Sequence, residues 1–243
     1  MIKFFKYFSD YINSKRPVGY DYLVKVEEKL KFLKNKNIKV LEVGCNNRPI
    51  IDKNIYKNII LHGIDPDDNI ILKNIKNKFD KFTITSLEDI EVSEKYDLII
   101  IDCVLEHVKN NSIIFKKLSK LILDDGIIIT NQPSNLHPFS IINRILNHNT
   151  KTYILKTLRP WSKVGLITGW KSYYHNCNIQ GFKKLCKKNN LIIDKGYFNY
   201  NASDYFTFFP PLFLVIVIYE EIIKLFGLKL LCSNFCVEIK KQL

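Results

Sequence analysis

Two acidic residues, each at the end of an apolar run, form the part of this sequence best suited to hold a ligand. The first run ends in Glu42-Val43-Gly44, and the second ends in Ile64-Asp65-Pro66. Ligands of open parallel sheets bind at the carboxyl ends of the strands, and a glycine there lets the backbone approach the ligand because it has no Cβ. Asp65 follows the glycine by about 20 residues, the spacing at which a carboxylate can accept hydrogen bonds from ribose hydroxyls. The pattern therefore predicts a site for an adenosine-containing ligand.

The same turn discriminates between two adenosine-containing cofactors. A dinucleotide needs a turn with three glycines and a helix N-terminus that faces its pyrophosphate. Here Gly44 is the one glycine of the turn, and Asn46 and Arg48 stand where the others would fall. S-adenosylmethionine (SAM) has no phosphate and carries an amino group that Glu42 can help to bind. The acid before the glycine therefore favours SAM over a dinucleotide.

A third apolar run, Tyr96 to Asp102, continues into the sequence Cys103-Val104-Leu105-Glu106-His107-Val108. This stretch resembles the fourth-strand motif of the class I SAM-dependent methyltransferases, in which a strand runs into a Val-Leu-Glu-His-Val turn. The segment from Leu123 to Ile129 is similar to the glycine turn that leads into the fifth strand of that family. The resemblance spans roughly residues 38–197 and lies with the branch that acts on small molecules, which includes quinone-biosynthesis and glycan-locus methyltransferases.

The resemblance implies a role for each residue that matches the family pattern. Glu42, Gly44 and Cys45 would line the methionine end of SAM, and Asp65 would hold the ribose. The other residues would contact the adenine ring (Leu87 and Glu88) and the floor of the cofactor site (Cys103, Val104 and His107). The chain departs from the family in the first loop, where Asn46 replaces the second glycine of Gly-Cys-Gly. Because Asn tolerates left-handed backbone conformations better than most residues, we expect the loop to form.

Histidine is the side chain best suited to accept a proton from an acceptor at neutral pH. His107 is the candidate catalytic residue, and the alternative is a structural histidine bonded to neighbouring backbone. His137, His148 and His175 are competing candidates. In-line alignment of the reacting atoms can supply most of the acceleration without a strong base, so catalysis without any histidine also stays open. No metal site is predicted, since Cys232 and Cys236 lack the second half of a zinc site.

These residues must be positioned by a sheet, because from Ile38 the chain alternates β-branched runs with amphipathic stretches. We predict an α/β fold of the Rossmann-like, doubly wound type, with seven strands that are mostly parallel, an antiparallel last strand and helices on both faces. The predicted strands are 38–43, 59–64, 81–85, 96–102, 126–130, 191–197 and 235–239. The predicted helices are 20–33, 67–79, 109–121, 179–189 and 211–226, together with a short or distorted helix between residues 46 and 58.

We interpret the chain as a single methyltransferase domain over residues 1–243. Its parts are N-terminal helices (1–36), a SAM-binding core (37–133), an insertion over the substrate (134–177) and a C-terminal helix and strand part (178–243). The insertion is assigned because the regular rhythm stops near Asn131 and a stretch this long is uncommon as a plain loop. Aromatic residues suit a lid over the substrate, with core packing as the alternative: Trp161, Trp170, Tyr173, Tyr174, Tyr197, Phe198, Tyr200, Tyr205 and Phe206.

The formal charge of +13 is spread along the whole chain rather than gathered into one block. No compact Lys/Arg block with interleaved aromatics is present, so nucleic acid is an unlikely partner. The six cysteines form no pair of CxxC units, and the N-terminus lacks the pattern of a secretory signal, so we expect a cytoplasmic protein with buried, reduced thiols. The longest uncharged run, Tyr205 to Tyr219, contains the helix-breaking pair Pro210-Pro211 and is shorter than the ~20 apolar residues that a membrane-spanning helix needs, so no spanning helix is predicted in the segment 205–226. Peripheral contact with a membrane surface and packing within a core or dimer are both open.

The sequence therefore predicts an enzyme that moves a methyl group from SAM to an oxygen of a small molecule, a glycan or a lipid-linked precursor. One alternative is a non-catalytic protein that keeps the methyltransferase fold as a binding or scaffold module. An RNA methyltransferase ranks lower.

Overall fold

The computed structural model describes residues 2–33, 37–45, 49–67, 78–147, 149–150, 153, 171–207 and 209–242. Within these ranges the chain forms a seven-stranded sheet with the order β3-β2-β1-β4-β5-β7-β6. The strands are β1 (Ile38–Val43), β2 (Ile59–Asp65), β3 (Lys81–Ile84), β4 (Tyr96–Asp102), β5 (Ile122–Pro133), β6 (Leu191–Asn199) and β7 (Asn234–Lys241). Strands β1 to β5 pair in parallel, and β7 is antiparallel to both β5 and β6. The predicted sheet is confirmed.

Six α-helices of eight or more residues accompany the sheet in the part of the chain that the structure describes. They are α1 (Ile2–Ser14), α2 (Tyr22–Phe32), α3 (Asn111–Leu121), α4 (Pro138–Ile145), α5 (Ile179–Lys188) and α6 (Pro210–Leu225). Short polar side chains fix several starts. The carboxylate of Asp21 accepts from the first turn of α2, and the amide oxygens of Asn110 and Asn178 accept from α3 and α5. Such N-caps satisfy backbone donors that have no partner inside the helix.

Both faces of the sheet are covered, which makes the fold doubly wound. On one face Val26 and Leu30 of α2 pack against Val40 and Ile100. On the other face α3 and α5 pack against the sheet, and the rings of Phe115 and Phe182 meet edge to face at 5.0 Å. Strands buried on both sides consist of nearly continuous β-branched residues, as the runs in β1 and β4 do.

A third apolar cluster joins α1, α4 and α6, in which Phe213 and Ile216 pack with Ile12 and Phe139. Helix α4 follows the carboxyl end of β5. Helix α6 lies between the end of β6 and the start of β7, which meet at that same edge of the sheet because β6 and β7 are antiparallel. We call α1, α4 and α6 the cap. By topology the cap lies at the edge where the sequence places the cofactor.

Some predicted boundaries were wrong. Strand β5 extends beyond the predicted 126–130 at both ends. It begins at Ile122, which pairs with Tyr96 of β4, and its polar end keeps pairing with β4 as far as Asn131 and with β7 as far as Pro133. The short helix predicted between residues 46 and 58 is absent from residues 49–58, which form turns and irregular structure, whereas residues 46–48 lie outside the described residues. Most of the predicted helix 67–79 lies outside the described residues. No helix among the described residues is long and apolar enough to cross a membrane.

The six cysteines are all free thiols. Five are buried, as predicted, but Cys103 is exposed. Its backbone has φ of 52°, a left-handed conformation that turns the chain sharply at the end of β4. The turn leaves Cys103 at the edge of the sheet rather than in the core.

Candidate functional site

Glu42 lies at the carboxyl end of β1 and is fully buried. Its Oε1 accepts a hydrogen bond of 2.8 Å from the backbone N–H of Ile50, so the carboxyl group holds Ile50 at the end of β1. Its Oε2 is buried and has no hydrogen-bond partner among the described residues. Burial raises the pKa of Glu42 from its ordinary 4.5 to about 7, helped by the nearby charge of Asp102. A buried carboxylate oxygen without a donor is costly, which favours a ligand that supplies one.

Gly44 and Cys45 form the turn directly after β1. Gly44 has φ of +71°, a conformation that L side chains rarely adopt, and a Cβ there would collide with Cγ2 of Val104. Its N–H donates to the carbonyl of Ile64 at 2.8 Å, which joins the ends of β1 and β2. Cys45 is buried, and its thiol contacts the same carbonyl at 3.7 Å. The glycine is therefore required both by its backbone and by the close approach of the next turn.

Asp65, Leu87 and Glu88 lie where a nucleoside would extend from that turn. Asp65 is buried at the end of β2, and its Oδ1 accepts from the backbone N–H of Asp67 at 2.9 Å. Leu87 is buried and Glu88 half-buried in the turn that follows β3. Strand β3 pairs with β2, so the two ends lie side by side. The structure thus brings the predicted ribose and adenine residues to neighbouring strand ends.

Cys103 and Val104 form the turn at the end of β4. The backbone N–H of Cys103 donates to the carbonyl of Asn131 at 2.8 Å. Val104 is half-buried and packs against the core below α3 and α5. Since β1 and β4 are neighbours in the sheet, this turn lies beside that of Gly44.

His107 is half-buried and is held by the segment before α5. Its Nδ1 lies 3.1 Å from the carbonyl oxygen of Lys171, which fixes the proton on Nδ1 in the neutral ring. Burial lowers the pKa of His107, so the ring is neutral at physiological pH. Its Nε2 lies 3.9 Å from Oε1 of Glu106, which is itself buried and has an Oε2 without a hydrogen-bond partner among the described residues. Burial raises the pKa of Glu106 to about 8.

The other candidate histidines differ in their surroundings. His137 is fully buried, and its Nδ1 accepts from the N–H of Phe139 at the start of α4. Burial lowers the pKa of His137 to about 4, and its ring packs edge to face against Tyr219 at 5.9 Å. His175 is exposed. His148 lies outside the described residues.

The aromatic residues of the predicted lid are spread over several elements. Tyr174 is buried and accepts from Asn143 of α4 at 2.9 Å, whereas Phe206 belongs to the cluster inside the cap. Phe198 and Tyr200 pack against the main core. Trp161 and Trp170 lie outside the described residues. The lid stays a prediction.

Sequence reasoning missed a polar chain at the same edge of the sheet. Asn131 on β5 pairs in register with Asp102 on β4, and its Nδ2 donates to Oδ1 of Asp102 at 2.7 Å. The hydroxyl of Tyr20, just before α2, donates to Oδ1 of Asn131 at 2.6 Å. Asp102 carries the same signal as Glu42 and Asp65, an acid at the end of an apolar strand. Tyr20 and Asn131 carry none, because their contact depends on how α2 packs on the sheet.

Comparison with known proteins decides the family. The model of the methyltransferase domain family matches residues 34–190, which include all of β1 to β5 and the turns just described. The chain belongs to the class I SAM-dependent methyltransferases. The match covers more than half of the chain, and it confirms both the predicted cofactor class and the predicted enzymatic activity.

The methyltransferase is similar to one curated protein in sequence and to solved structures in fold. It is 27% identical to the ubiquinone biosynthesis O-methyltransferase of Pelagibacter ubique over 179 residues, which are 70% of this chain and 68% of that protein. Among solved structures it resembles the plantazolicin methyltransferase BamL, with a TM-score of 0.54, 18% identity, and coverage of 91% of this chain and 85% of that one. It also resembles PKMT2 from Rickettsia typhi, with a TM-score of 0.53, 16% identity, and coverage of 86% of this chain and 49% of that one. The methyltransferase therefore spans about half the length of that last protein, and these structural likenesses show the fold alone.

Proposed function

We propose that this methyltransferase moves the methyl group of SAM to an oxygen of a small-molecule acceptor. The observation that carries the proposal is the buried Oε2 of Glu42, which has no hydrogen-bond partner among the described residues and lies beside the left-handed turn at Gly44. A group with N–H donors and positive charge satisfies that oxygen, and the amino group of SAM has both. The choice of oxygen rests on the similarity to an O-methyltransferase of ubiquinone biosynthesis.

The residues present fit this cofactor. In the proposal Glu42, Gly44 and Cys45 hold its methionine end, and Asp65 holds the ribose. The remaining contacts are Leu87 and Glu88 with the adenine ring, and Cys103 and Val104 with the floor of the site. SAM supplies an activated methyl group on a positively charged sulfur. The protein's part is to hold the acceptor oxygen in line with that methyl group, and alignment of this kind can supply roughly 7–11 kcal/mol of the barrier.

His107 stays a prediction as the base. Its Nδ1 is engaged by the carbonyl of Lys171, so only Nε2 can accept a proton, and Nε2 faces the side of Glu106. Replacement by Gln keeps a polar group at this place. A fall in kcat of more than about a hundredfold in His107→Gln, with SAM affinity unchanged, is the size of effect that general bases give.

Titration calorimetry with SAM and with S-adenosylhomocysteine tests the cofactor part of the proposal. We expect binding to the wild type and binding at least tenfold weaker to Glu42→Gln. Glu27→Gln, an exposed glutamate on α2, is the matched control. Release of S-adenosylhomocysteine in the presence of phenols, catechols, sugars and alkyl alcohols then identifies the acceptor class. Absence of heat with the wild type at millimolar SAM would contradict the proposal and favour a scaffold role.

We also propose that the acceptor is apolar or lipid-linked and that the cap contacts a membrane surface. The outward face of α6 carries an apolar stripe with exposures of 40–81%: Leu214, Ile218, Ile222 and Leu225. A stripe of this kind on the solvent side of a helix marks an interaction surface. Arg144 and Lys224, on the helices of the cap, suit anionic headgroups. The cap lies at the cofactor edge of the sheet, so an apolar acceptor in the bilayer would be near the site. A glycan acceptor stays a prediction.

Flotation with vesicles of phosphatidylglycerol and phosphatidylcholine tests this contact. We expect the wild type to float with the anionic vesicles and Ile218→Glu to remain at the bottom. Ile113→Glu, a similarly exposed isoleucine on α3, should float like the wild type. A wild-type protein that stays at the bottom, or a dimer that Ile218→Glu dissociates in solution, would refute membrane contact.

A further inference from the structure

Four polar side chains lie in a staggered row across neighbouring strand ends, in which Glu42 is two residues deeper along its strand than Asp65 and Asp102 are along theirs. They are Asp65 on β2, Glu42 on β1, Asp102 on β4 and Asn131 on β5. All four project toward the α2 face, because each is an even number of residues from a residue buried under α2, such as Val40 or Ile100. In the proposed function Asp65 holds the ribose and Glu42 the methionine end. Asp102 is the next member of the row, on the side away from the nucleoside.

The carboxyl group of Asp102 is held by side chains rather than by backbone. Asn131 donates to its Oδ1 at 2.7 Å, and Tyr20 fixes the orientation of that amide by donating to its oxygen at 2.6 Å. These contacts leave acceptor capacity on the carboxylate, which has about four lone-pair sites. Burial raises the pKa of Asp102, which makes it a stronger base than a surface aspartate.

A second aspartate on the same strand shows what a structural role looks like here. Asp97, at the other end of β4, accepts a hydrogen bond of 2.8 Å from the backbone N–H of Lys39 and so connects β4 to β1. Among the described residues the carboxylate of Asp102 instead accepts from the side chain of Asn131. The hydrogen-bonded chain Tyr20–Asn131–Asp102 orients a carboxylate at a strand end and adds little to the pairing of the strands. It does define where the free lone pairs point.

We propose that Asp102 accepts the proton of the acceptor hydroxyl, and that Asn131 and Tyr20 are its positioning residues. The inference rests on the proposed function. In the step, the hydroxyl oxygen forms a bond to the methyl carbon with its own electron pair. The bond between that carbon and sulfur breaks, and its pair goes to sulfur. The hydroxyl proton goes to Oδ2 of Asp102, so the products are the methyl ether, S-adenosylhomocysteine and the protonated carboxyl group.

Binding of catechol to the complex with S-adenosylhomocysteine tests the contact without turnover. A hydrogen bond to a charged group is worth about 1.5–3 kcal/mol, so we expect catechol to bind roughly ten- to a hundredfold more weakly to Asp102→Asn. Binding of 1,2-dimethoxybenzene, which has no hydroxyl to donate, should be unchanged. Asp97→Asn is the control for a lost carboxylate on β4. Equal effects of Asp102→Asn on both probes, or no binding of catechol to the wild-type complex, would overturn the proposal.

Kinetics with the best acceptor of the hydroxyl panel test the chemical role. At saturating SAM we expect kcat to fall by about a hundredfold or more in Asp102→Asn. Tyr20→Phe should lower kcat by about two- to tenfold, because it removes one hydrogen bond from the chain. SAM affinity should be unchanged in both variants and in Asp97→Asn. A kcat for Asp102→Asn within threefold of the wild type would sink the proposal, whereas failure of the wild type to bind SAM would defeat the proposed function itself.

The pH profile separates a base from a structural group. The amide of Asn131 lowers the pKa of Asp102, so Asn131→Ala should move the acid limb of kcat to higher pH. The titratable groups whose charge couples to Asp102 are Tyr20, Tyr22, Glu42, Cys103, Glu106 and Cys236. If Glu42 acts in cofactor binding, its titration does not affect kcat measured at saturating SAM. An unmoved limb in Asn131→Ala would contradict the assignment of that limb to Asp102.

Discussion

Gly44→Ala separates the two demands that the first turn places on its residue. The backbone demand is φ of +71°, and adopting a left-handed conformation costs a residue with a Cβ roughly 1–2 kcal/mol. The second demand is space, because the new Cβ would lie within 3.0 Å of Cγ2 of Val104, closer than Cβ atoms are found in real structures. Rotating or shifting the half-buried Val104 side chain adds about 1–3 kcal/mol. Reduced freedom of the unfolded chain offsets up to about 1 kcal/mol. We therefore expect a net loss of about 3 kcal/mol.

Gly227→Ala is the matched control, because Gly227 has φ of +60° and a Cβ added there would meet nothing within 4 Å. It bears the backbone cost alone, about 1 kcal/mol. Urea unfolding measures both free energies, and calorimetry measures SAM affinity, which Gly44→Ala should weaken at least tenfold. In Gly44→Ala/Val104→Ala the collision is removed, so its loss should approach the sum of the backbone cost and that of Val104→Ala. The reasoning is refuted if Gly44→Ala and Gly227→Ala unfold at the same urea concentration and bind SAM equally.

Three further predictions follow from buried groups. In the absence of ligand, Glu42→Gln should be more stable than the wild type by roughly 2 kcal/mol at pH 8 and no more stable at pH 4, as measured by urea unfolding at both pH values. The reason is that the raised pKa of Glu42 makes the folded wild type lose stability as pH rises from 4.5 through about 7. Arg16→Met should lower the free energy of unfolding by about 3–5 kcal/mol, because it leaves the buried carboxylate of Glu220 without the guanidinium that lies 2.8 Å away. Asp194→Asn, which removes a surface ion pair, should lower it by less than about 1 kcal/mol in the same assay. His107→Gln should lower kcat by less than about tenfold if Asp102 is the base, and a larger fall at unchanged SAM affinity would return that role to the histidine.

The sequence predicts the sheet well where a strand is buried on both faces. The apolar runs of β1 and β4 have the bounds predicted for them, because continuous β-branched residues leave little choice of structure. Prediction fails for β5, whose end beyond Thr130 is polar. Asn131 stays in the strand because it pairs with both β4 and β7, and Gln132 because it pairs with β7, which is a property of the assembled sheet rather than of those residues.

The candidate site divides in the same way. Glu42, Gly44 and Asp65 can be found from the sequence because strand ends of a parallel sheet meet at one edge. The same rule would have found Asp102, which ends β4, but its hydrogen-bonded chain to Tyr20 needs the register of β4 with β5 and the packing of α2. The exposure of Cys103 likewise depends on its left-handed backbone conformation, which the residue type at that position does not predict.

The folded protein carries several unfavourable features at one edge of its sheet. Cys103 has φ of 52°, and buried carboxyl oxygens of Glu42 and Glu106 lack hydrogen-bond partners among the described residues. The pKa of Glu42 is raised to about 7 and that of Glu106 to about 8, so above these values each carboxylate is ionised at a cost to the fold. A cation that binds beside Glu42 reverses the sign of this effect, because it favours the ionised form and lowers the pKa. Cofactor binding near pH 6.5 should therefore release protons, and stabilisation by cofactor should grow as pH rises through 7. The buried carboxyl group of Glu42 that lowers the stability of the fold by itself then increases the stability gained on cofactor binding.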